Sequence, residues 1–442
     1  MKRLYIETYG CQMNVADSQL VESILSQEGY VQCKTPDEAD LILINTCSIR
    51  EHAEERAIAR MRELTSFKRK RPGLRVGMIG CMATWNKEKI FDAVPLLDFI
   101  AGPDSYRKLP ALIEQATENN THPMDVILST VETYEDIIPH HEAKGVSAFV
   151  SIMRGCNNFC AYCVVPYTRG RERSRSVPSI LEEIHHLVEL EYKEVTLLGQ
   201  NVNSYQWKEP NKEWDFPALL ARVAQEFPML RIRFATSHPK DASLQLVETM
   251  ASYPNIARSI HLPLQSGSND VLKRMHRHYT LETYKEKIDW FRKFMPDITI
   301  STDIIAGYSG ETEDDHRATM QAMREIHFFY AYMFKYSERP GTLASKKYPD
   351  DVPDEVKTRR LEEIIHLQQQ LSYEHNLQDI GKLYEVLIEG VSKKNPNKWY
   401  GRTSQNKVVV FSEPTAHIGD FVKVKITSVT TATLLGEPYK DK

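Results

Sequence analysis

Six of the seven cysteines in this 442-residue chain fall into two trios placed to do metal chemistry. The first trio is spread out. Cys11 follows the apolar run LYIETYG at once, Cys47 comes one threonine after DLILIN, and Cys81 follows LRVGMIG directly. Cys47 stands 36 residues after Cys11, and Cys81 a further 34. The second trio is tight: Cys156, Cys160 and Cys163 form a C-x3-C-x2-C run behind AFVSIM. Thiolates are soft ligands suited to zinc and to iron–sulfur clusters. A lone cysteine is more often a small core hydrophobe. Cys33, in YVQCKT, shares neither placement and is read that way.

The elements around the first trio explain its spacing. A βαβ unit takes about thirty residues or more, and its parallel strands end on one edge of the sheet, where α/β proteins bind ligands. LYIETYG, DLILIN and LRVGMIG read as such strands. DSQLVESILSQEG reads as a helix, with Asp17 or Ser18 as cap and Gly29 as stop, and a second helical pattern begins at NTCSIRE. The three distant thiols are therefore expected to converge on one metal site. The competing reading is three unrelated buried cysteines.

Around the second trio, zinc would usually ask for four ligands in pairs. Three cysteines in one loop, with no fourth nearby, fit a 4Fe-4S cluster whose fourth iron stays open. AFVSIM, EVTLLG, IRFATS, SIHLPLQ, ITISTDIIAG and FYAYMFKY alternate with helical candidates such as SILEEIHHLVELE, PALLARVAQEF and DHRATMQAMREIH. Six such units predict a partial (β/α) barrel with functional loops at the C-terminal strand ends, where Cys156 falls. The pairs His140-His141 and His185-His186 are read as surface or linker residues, since adjacent helix positions do not face the same way.

VPDEVKTRRLEEIIHLQQQLSYEHN reads as a long helix, and the chain beyond it as short strands of a small antiparallel barrel. The whole chain carries a formal charge of −4, but residues 376–442 hold ten Lys and Arg against seven Asp and Glu. Lys398, Trp399 and Arg402 there, and Arg169, Arg171, Arg173 and Arg175 in TRGRERSR, mix cations and rings as RNA binding requires. A core tryptophan with solvated lysines is the plainer reading of the first group. Seven cysteines without an apolar leader predict reduced thiols and a cytoplasmic protein, and no apolar run is long enough to cross a membrane.

RGCNNFCAYCVVPYTRGRERSR resembles the radical S-adenosylmethionine (SAM) superfamily, and the tail looks like a TRAM domain. With the first trio, these features resemble the methylthiotransferases over essentially the whole chain. YGCQMN and NTCSIRE are most similar to the branch that modifies isopentenylated adenosine in tRNA. The branches acting on threonylcarbamoyladenosine or on a ribosomal-protein aspartate remain alternatives, as does a non-catalytic RNA-binding metalloprotein.

The resemblance implies three domains: 1–120 with an auxiliary 4Fe-4S cluster on Cys11, Cys47 and Cys81, a radical-SAM core over 142–375, and a TRAM domain over 376–440. It implies that Tyr162 packs near the SAM adenine. Gly199, Gln200, Asn201, Thr236, Ser237, Gln265 and Asp303 would frame SAM or substrate, although ordinary loop capping explains any one of them. One SAM would methylate a sulfur on the auxiliary cluster; a second would give a 5′-deoxyadenosyl radical that takes hydrogen from carbon 2 of the adenine. The expected partners are tRNA and a flavodoxin-type electron donor, with the enzyme a monomer. Asn14 and Asn45 are candidates for ordering the auxiliary cluster. Tyr308-Ser309 stands where the family more often has Phe-Pro, a difference expected to matter only locally.

Overall fold

A computed structural model describes residues 1–47, 51–118, 121–143 and 145–439. Residues 48–50, the SIR of NTCSIRE, therefore lie outside the described residues. The first strands are β1 (Lys2–Thr8), β2 (Tyr30–Gln32), β3 (Leu41–Thr46), β4 (Arg75–Gly80), β5 (Phe99–Ala101) and β6 (Met124–Asp125). They pair in parallel in the order β2-β1-β3-β4-β5-β6. β3 is buried along its whole length, as a continuous apolar run in a covered parallel sheet should be. The strand order reverses between β1 and β3, and a crevice opens at the C-terminal ends flanking such a switch point.

The first helix, Gln12–Gln27, starts five residues before the expected cap, with Cys11 itself at the N-cap position. Asp17 and Ser18 are buried within it. Asp17 cannot serve as a cap because its carboxylate is engaged by arginines from the next part of the chain.

All six strands expected in the middle of the chain are present: β7 (Ser147–Ser151), β8 (Glu194–Leu198), β9 (Arg231–Ala235), β10 (Ser259–His261), β11 (Thr299–Ala306) and β12 (Tyr330–Lys335). They form two parallel three-stranded sheets, β9-β8-β7 and β10-β11-β12, joined by a parallel bridge between Ile232 and Ile256. The result is an open arc with β7 and β12 at its edges. Helices Val177–Glu189, Phe216–Glu226 and Glu313–Ile326 pack on the strands through Ile180, Leu220 and Met323. Side-chain caps from Ser176, Asp215 and Thr312 fix where these helices begin.

The long helix runs Asp354–Leu377. After it, β13 (Leu383–Val391), β14 (Trp399–Thr403), β15 (Val408–Phe411), β16 (Phe421–Val429) and β17 (Leu434–Pro438) close a barrel in the order β13-β14-β15-β17-β16. Its turn 403–407 docks under the arc. Arg233 donates to Thr403 O (2.7 Å) and Ser404 O (3.1 Å), Arg231 to Arg402 O (2.8 Å), and Thr299 Oγ1 to Gln405 O (2.6 Å).

Buried Lys407 pairs with Asp379, and its Nζ lies 3.1 Å from His375 Nδ1. Burial, then the Lys407 cation, push His375 down to about 4, with Asp379 pulling the other way and His327 adding to the push. Below its ordinary 6.5, the imidazole is protonated first in the unfolded chain. Stability is therefore full above pH 6.5 and falls as pH drops toward 4, by up to about 3 kcal/mol. His375→Gln is expected to flatten the urea midpoint against pH in that window; an unchanged slope would contradict the assignment.

Candidate functional site

Cys11, Cys47 and Cys81 follow three adjacent strands, β1, β3 and β4, and so stand side by side on one sheet edge. Two glycines make that possible. Gly10 has φ +134°, and a Cβ on it would lie 2.6 Å from Cys47 Cβ; Gly80 has φ +95°, and its Cβ would meet Asn45 Oδ1 at 2.4 Å. Gly10→Ala is expected to cost about 1–3 kcal/mol through overpacking and to push Cys47 out of place. Thermal unfolding and the iron content after reconstitution check this, and a variant with wild-type values of both would contradict it.

Asn14 and Asn45, both fully buried, hold the edge together. Asn14 Nδ2 donates to Asn45 Oδ1 (2.9 Å), Asn45 Nδ2 donates to Asn14 O (2.8 Å) and Ser18 Oγ (3.0 Å), and Cys11 Sγ lies 3.3 Å from Asn14 Oδ1.

In the second trio, Gly155 has φ +76°, and a Cβ on it would lie 2.0 Å from Arg171 O, so only glycine lets the loop pass there. Cys156 N donates to Gly170 O (3.1 Å), while Asn158 N and Val165 N point at the sulfurs of Cys156 (3.5 Å) and Cys163 (3.4 Å).

All six thiols line one cavity of ≈ 260 Å³, together with Tyr162, Gly199, Gln200, Thr236, Ser237, Gln265 and Asp303. Thr236 and Gln265 both have φ +71°, left-handed backbone that costs energy and that ligand clamps tend to hold. Asn201 stands behind the wall instead. Its side chain accepts from His238 N (3.1 Å) and donates to Asp241 (2.7 Å), which uses it as a loop brace rather than a ligand contact. Tyr308, one of the two residues that depart from the family pattern, packs edge-on against Tyr162 and Tyr336 at ring distances of 6.4 and 4.8 Å.

Two arginines reach the sulfurs, and spacing gave no sign of either contact. Arg169 Nε donates to Cys81 Sγ (3.1 Å) and its Nη2 to Asp17 (2.8 Å); Arg277 Nη1 donates to Cys160 Sγ (3.2 Å) and its Nη2 to Pro263 O (3.0 Å). His238 Nε2 lies 4.0 Å from Cys160 Sγ. Burial, then Arg277 and Lys240, push His238 down to about 2, so it is neutral. Its Nδ1 accepts from Lys240 N (3.2 Å), which leaves the proton on Nε2, toward the sulfur. Burial pushes Cys156 up to about 12 and raises Cys81 and Cys163, whereas a hydrogen bond from Cys47 and then the Arg169 charge bring Cys11 down to about 6.

The TRGRERSR arginines need a correction. Arg169, Arg173 and Arg175 are buried and paired with Asp17 (2.8 Å), Asp104 (2.8 Å) and Glu183 (2.5 Å). The first two pairs clamp the first two parts of the chain, the third braces the radical-SAM part internally, and none is free to meet an external strand. Only Arg171 of the four is exposed, its guanidinium over the Phe159 ring at 4.4 Å. His141 is also buried, 3.6 Å from Glu183 and edge-on to Tyr192, contrary to the surface reading. In the C-terminal barrel, Trp399 packs on the core and donates to Glu413 O (2.9 Å); Lys398 and Arg402 are part-exposed, Arg402 beside Glu389 at 3.3 Å.

The donor set fits iron–sulfur clusters. Each trio offers three unbridged thiols with one arginine N–H aimed at a sulfur, which suits an anionic cluster, whose properties such hydrogen bonds tune. No group of three His, Cys, Asp or Glu among the described residues is arranged to hold a single metal ion. Gln200 Oε1, Ser237 Oγ and Arg169 Nη1 are buried at the cavity without a partner among the described residues, as donors and acceptors for a polar ligand would be.

Three family models match the chain: an uncharacterized family, UPF0004, over 3–102; the radical SAM superfamily over 150–323; and the TRAM domain over 378–439. The fold resembles the radical SAM methyltransferase TsrM from Kitasatospora setae (TM-score 0.59, 12% identity, 87% of this chain and 78% of that one). This protein is a radical SAM enzyme with a TRAM domain, using 4Fe-4S clusters and SAM. Two relatives, from Phocaeicola vulgatus (53% identical, 99% of this chain and 96% of the relative) and Parabacteroides distasonis (52%, 100% and 96%), are each named tRNA-2-methylthio-N(6)-dimethylallyladenosine synthase. The chain belongs to that family of methylthiotransferases.

Proposed function

We propose that the chain methylthiolates carbon 2 of an N6-isopentenylated adenosine beside a tRNA anticodon, using two SAM per product. One observation carries the reading: both thiol trios line a single cavity, so two clusters would face one substrate base. Cys11, Cys47 and Cys81 would hold one cluster, and Cys156, Cys160 and Cys163 the other. When bound, the clusters and SAM supply one-electron cleavage of a sulfonium, a methyl group and a transferable sulfur, the chemistry that an inert aromatic C–H demands.

The protein's own residues place and shield. Tyr162, Gly199, Gln200, Thr236, Ser237, Gln265 and Asp303 wall the ligand space. Arg169 and Arg277 hold the sulfurs of Cys81 and Cys160. Neutral His238 adds no charge beside the second trio. The target base would be splayed out of the anticodon loop into the cavity between 1–120 and 142–375. Lys398 and Arg402 on 376–440, with Arg171, would meet the phosphates. A flavodoxin-type reductase as electron donor, a monomer, and a cytoplasmic setting complete the reading; no described helix is long and apolar enough to cross a membrane.

The test is substrate choice. Reconstituted without oxygen and given SAM and reductant, the protein is expected to convert isopentenylated tRNA, with nucleoside mass spectrometry as the readout. It should leave threonylcarbamoylated tRNA and the ribosomal protein unchanged. Turnover of either of those instead would move the chain to another branch.

A further inference from the structure

On the face of the open arc that carries Asp303, two half-exposed rings stand side by side. β12 reads YAYMFK: Ala331 is fully buried on the side of the long helix, while Tyr330 and Tyr332 are 44% and 50% exposed. Their rings lie 5.0 Å apart at 80°, one offering a face and the other an edge. Neither hydroxyl has a hydrogen-bond partner among the described residues. In register, Tyr332 stands beside Asp303 and Tyr330 beside Ser301. His261 bridges the row, its Nε2 3.3 Å from Asp303 and its ring 5.6 Å from that of Tyr332. Asp303 itself lines the thiol cavity, so Tyr332 stands one strand away from the reaction space.

The TRAM barrel brings part-exposed Arg402 close enough for its charge to act on the Tyr332 phenol. β12 is an edge strand, and both of its rings are reachable from solvent. Two exposed tyrosines on the strand face that carries Asp303 are out of place in a packed barrel, where inward rings are normally filled against. A ring pair next to a cation is what an unpaired nucleotide uses: stacking for the base, charge for the phosphate.

We propose that Tyr330 and Tyr332 form a stacking platform for an unpaired RNA nucleotide adjacent to the modified adenosine, with Arg402 at its phosphate. This rests on the tRNA reading above. Steadying a neighbour of the target base would keep that base splayed toward the thiols, and would select anticodon loops whose neighbouring base stacks well.

The experiment uses the full, reconstituted chain and two isopentenylated anticodon stem-loop RNAs, each with 2-aminopurine on one side of the target adenosine. With wild type and with Tyr330→Phe/Tyr332→Phe, fluorescence of one of the two RNAs is expected to fall on binding. With Tyr330→Ala/Tyr332→Ala that change should vanish and Kd rise about ten-fold or more. The slope of log Kd against log salt should stay the same, because no cation is lost. An alanine pair that quenches like wild type and binds within about two-fold of it would overturn the proposal. Failure of wild type to bind either stem-loop would instead remove the tRNA reading itself.

Discussion

Asp17→Ala is expected to destabilise the protein by about 3–5 kcal/mol, the range for breaking a buried ion pair from one side. Asp17 is fully buried and accepts from Arg154 (2.5 Å), Arg169 (2.8 Å) and the Tyr106 hydroxyl (3.3 Å). Both arginines come from the radical-SAM part of the chain and both are buried. Without the carboxylate, two buried guanidiniums lose the ion pair they share and keep only the more distant Asp104 as counter-charge. Arg169 also loses the partner that aims its Nε at Cys81, so the first cluster should assemble poorly. Arg171→Ala, at an exposed neighbour, should shift stability by no more than about 0.5 kcal/mol. Urea midpoints and iron content of the two variants check this together. Equal midpoints would mean that the Asp17 network does not join the two parts.

The second large effect divides the thiols by task. Wild type reconstituted without oxygen should hold about eight irons per chain, and Cys156→Ala/Cys160→Ala/Cys163→Ala about four, with SAM cleavage abolished. Cys11→Ala/Cys47→Ala/Cys81→Ala should also hold about four but should still cleave SAM to 5′-deoxyadenosine. The trios are carried by different elements, one on a sheet edge and one in a single loop, so neither needs the other to form. Zinc in place of iron, or an iron count untouched by either set of changes, would contradict two separate clusters.

Much of the site was legible because its rules are local. A cysteine directly after a strand says where it will stand once the strands are parallel, and three such strands that prove adjacent put three thiols together. The C-x3-C-x2-C loop needed no tertiary information at all. What stayed hidden depends on which surfaces meet. TRGRERSR looks like a basic patch until Asp17 and Asp104 from the first part of the chain, and Glu183 from the helix that follows, bury three of its four arginines. Asp17 has the composition of a cap and the position of a counter-ion. Arg277 and His238 lie far along the chain from Cys160, which they reach only because β9, β10 and the loops after them curl round the second trio. Asn201 fell one residue beyond the cavity wall, a distinction that a motif cannot draw.

The measurement closest to the central claim, one cavity in which SAM and the substrate base meet, follows a single hydrogen. A stem-loop RNA carrying isopentenylated adenosine deuterated at carbon 2 is turned over by the reconstituted enzyme, and the 5′-deoxyadenosine formed is examined by mass spectrometry. The account expects deuterium in that product, in step with methylthiolated adenosine. Methylthiolated product with no deuterium in 5′-deoxyadenosine would contradict it.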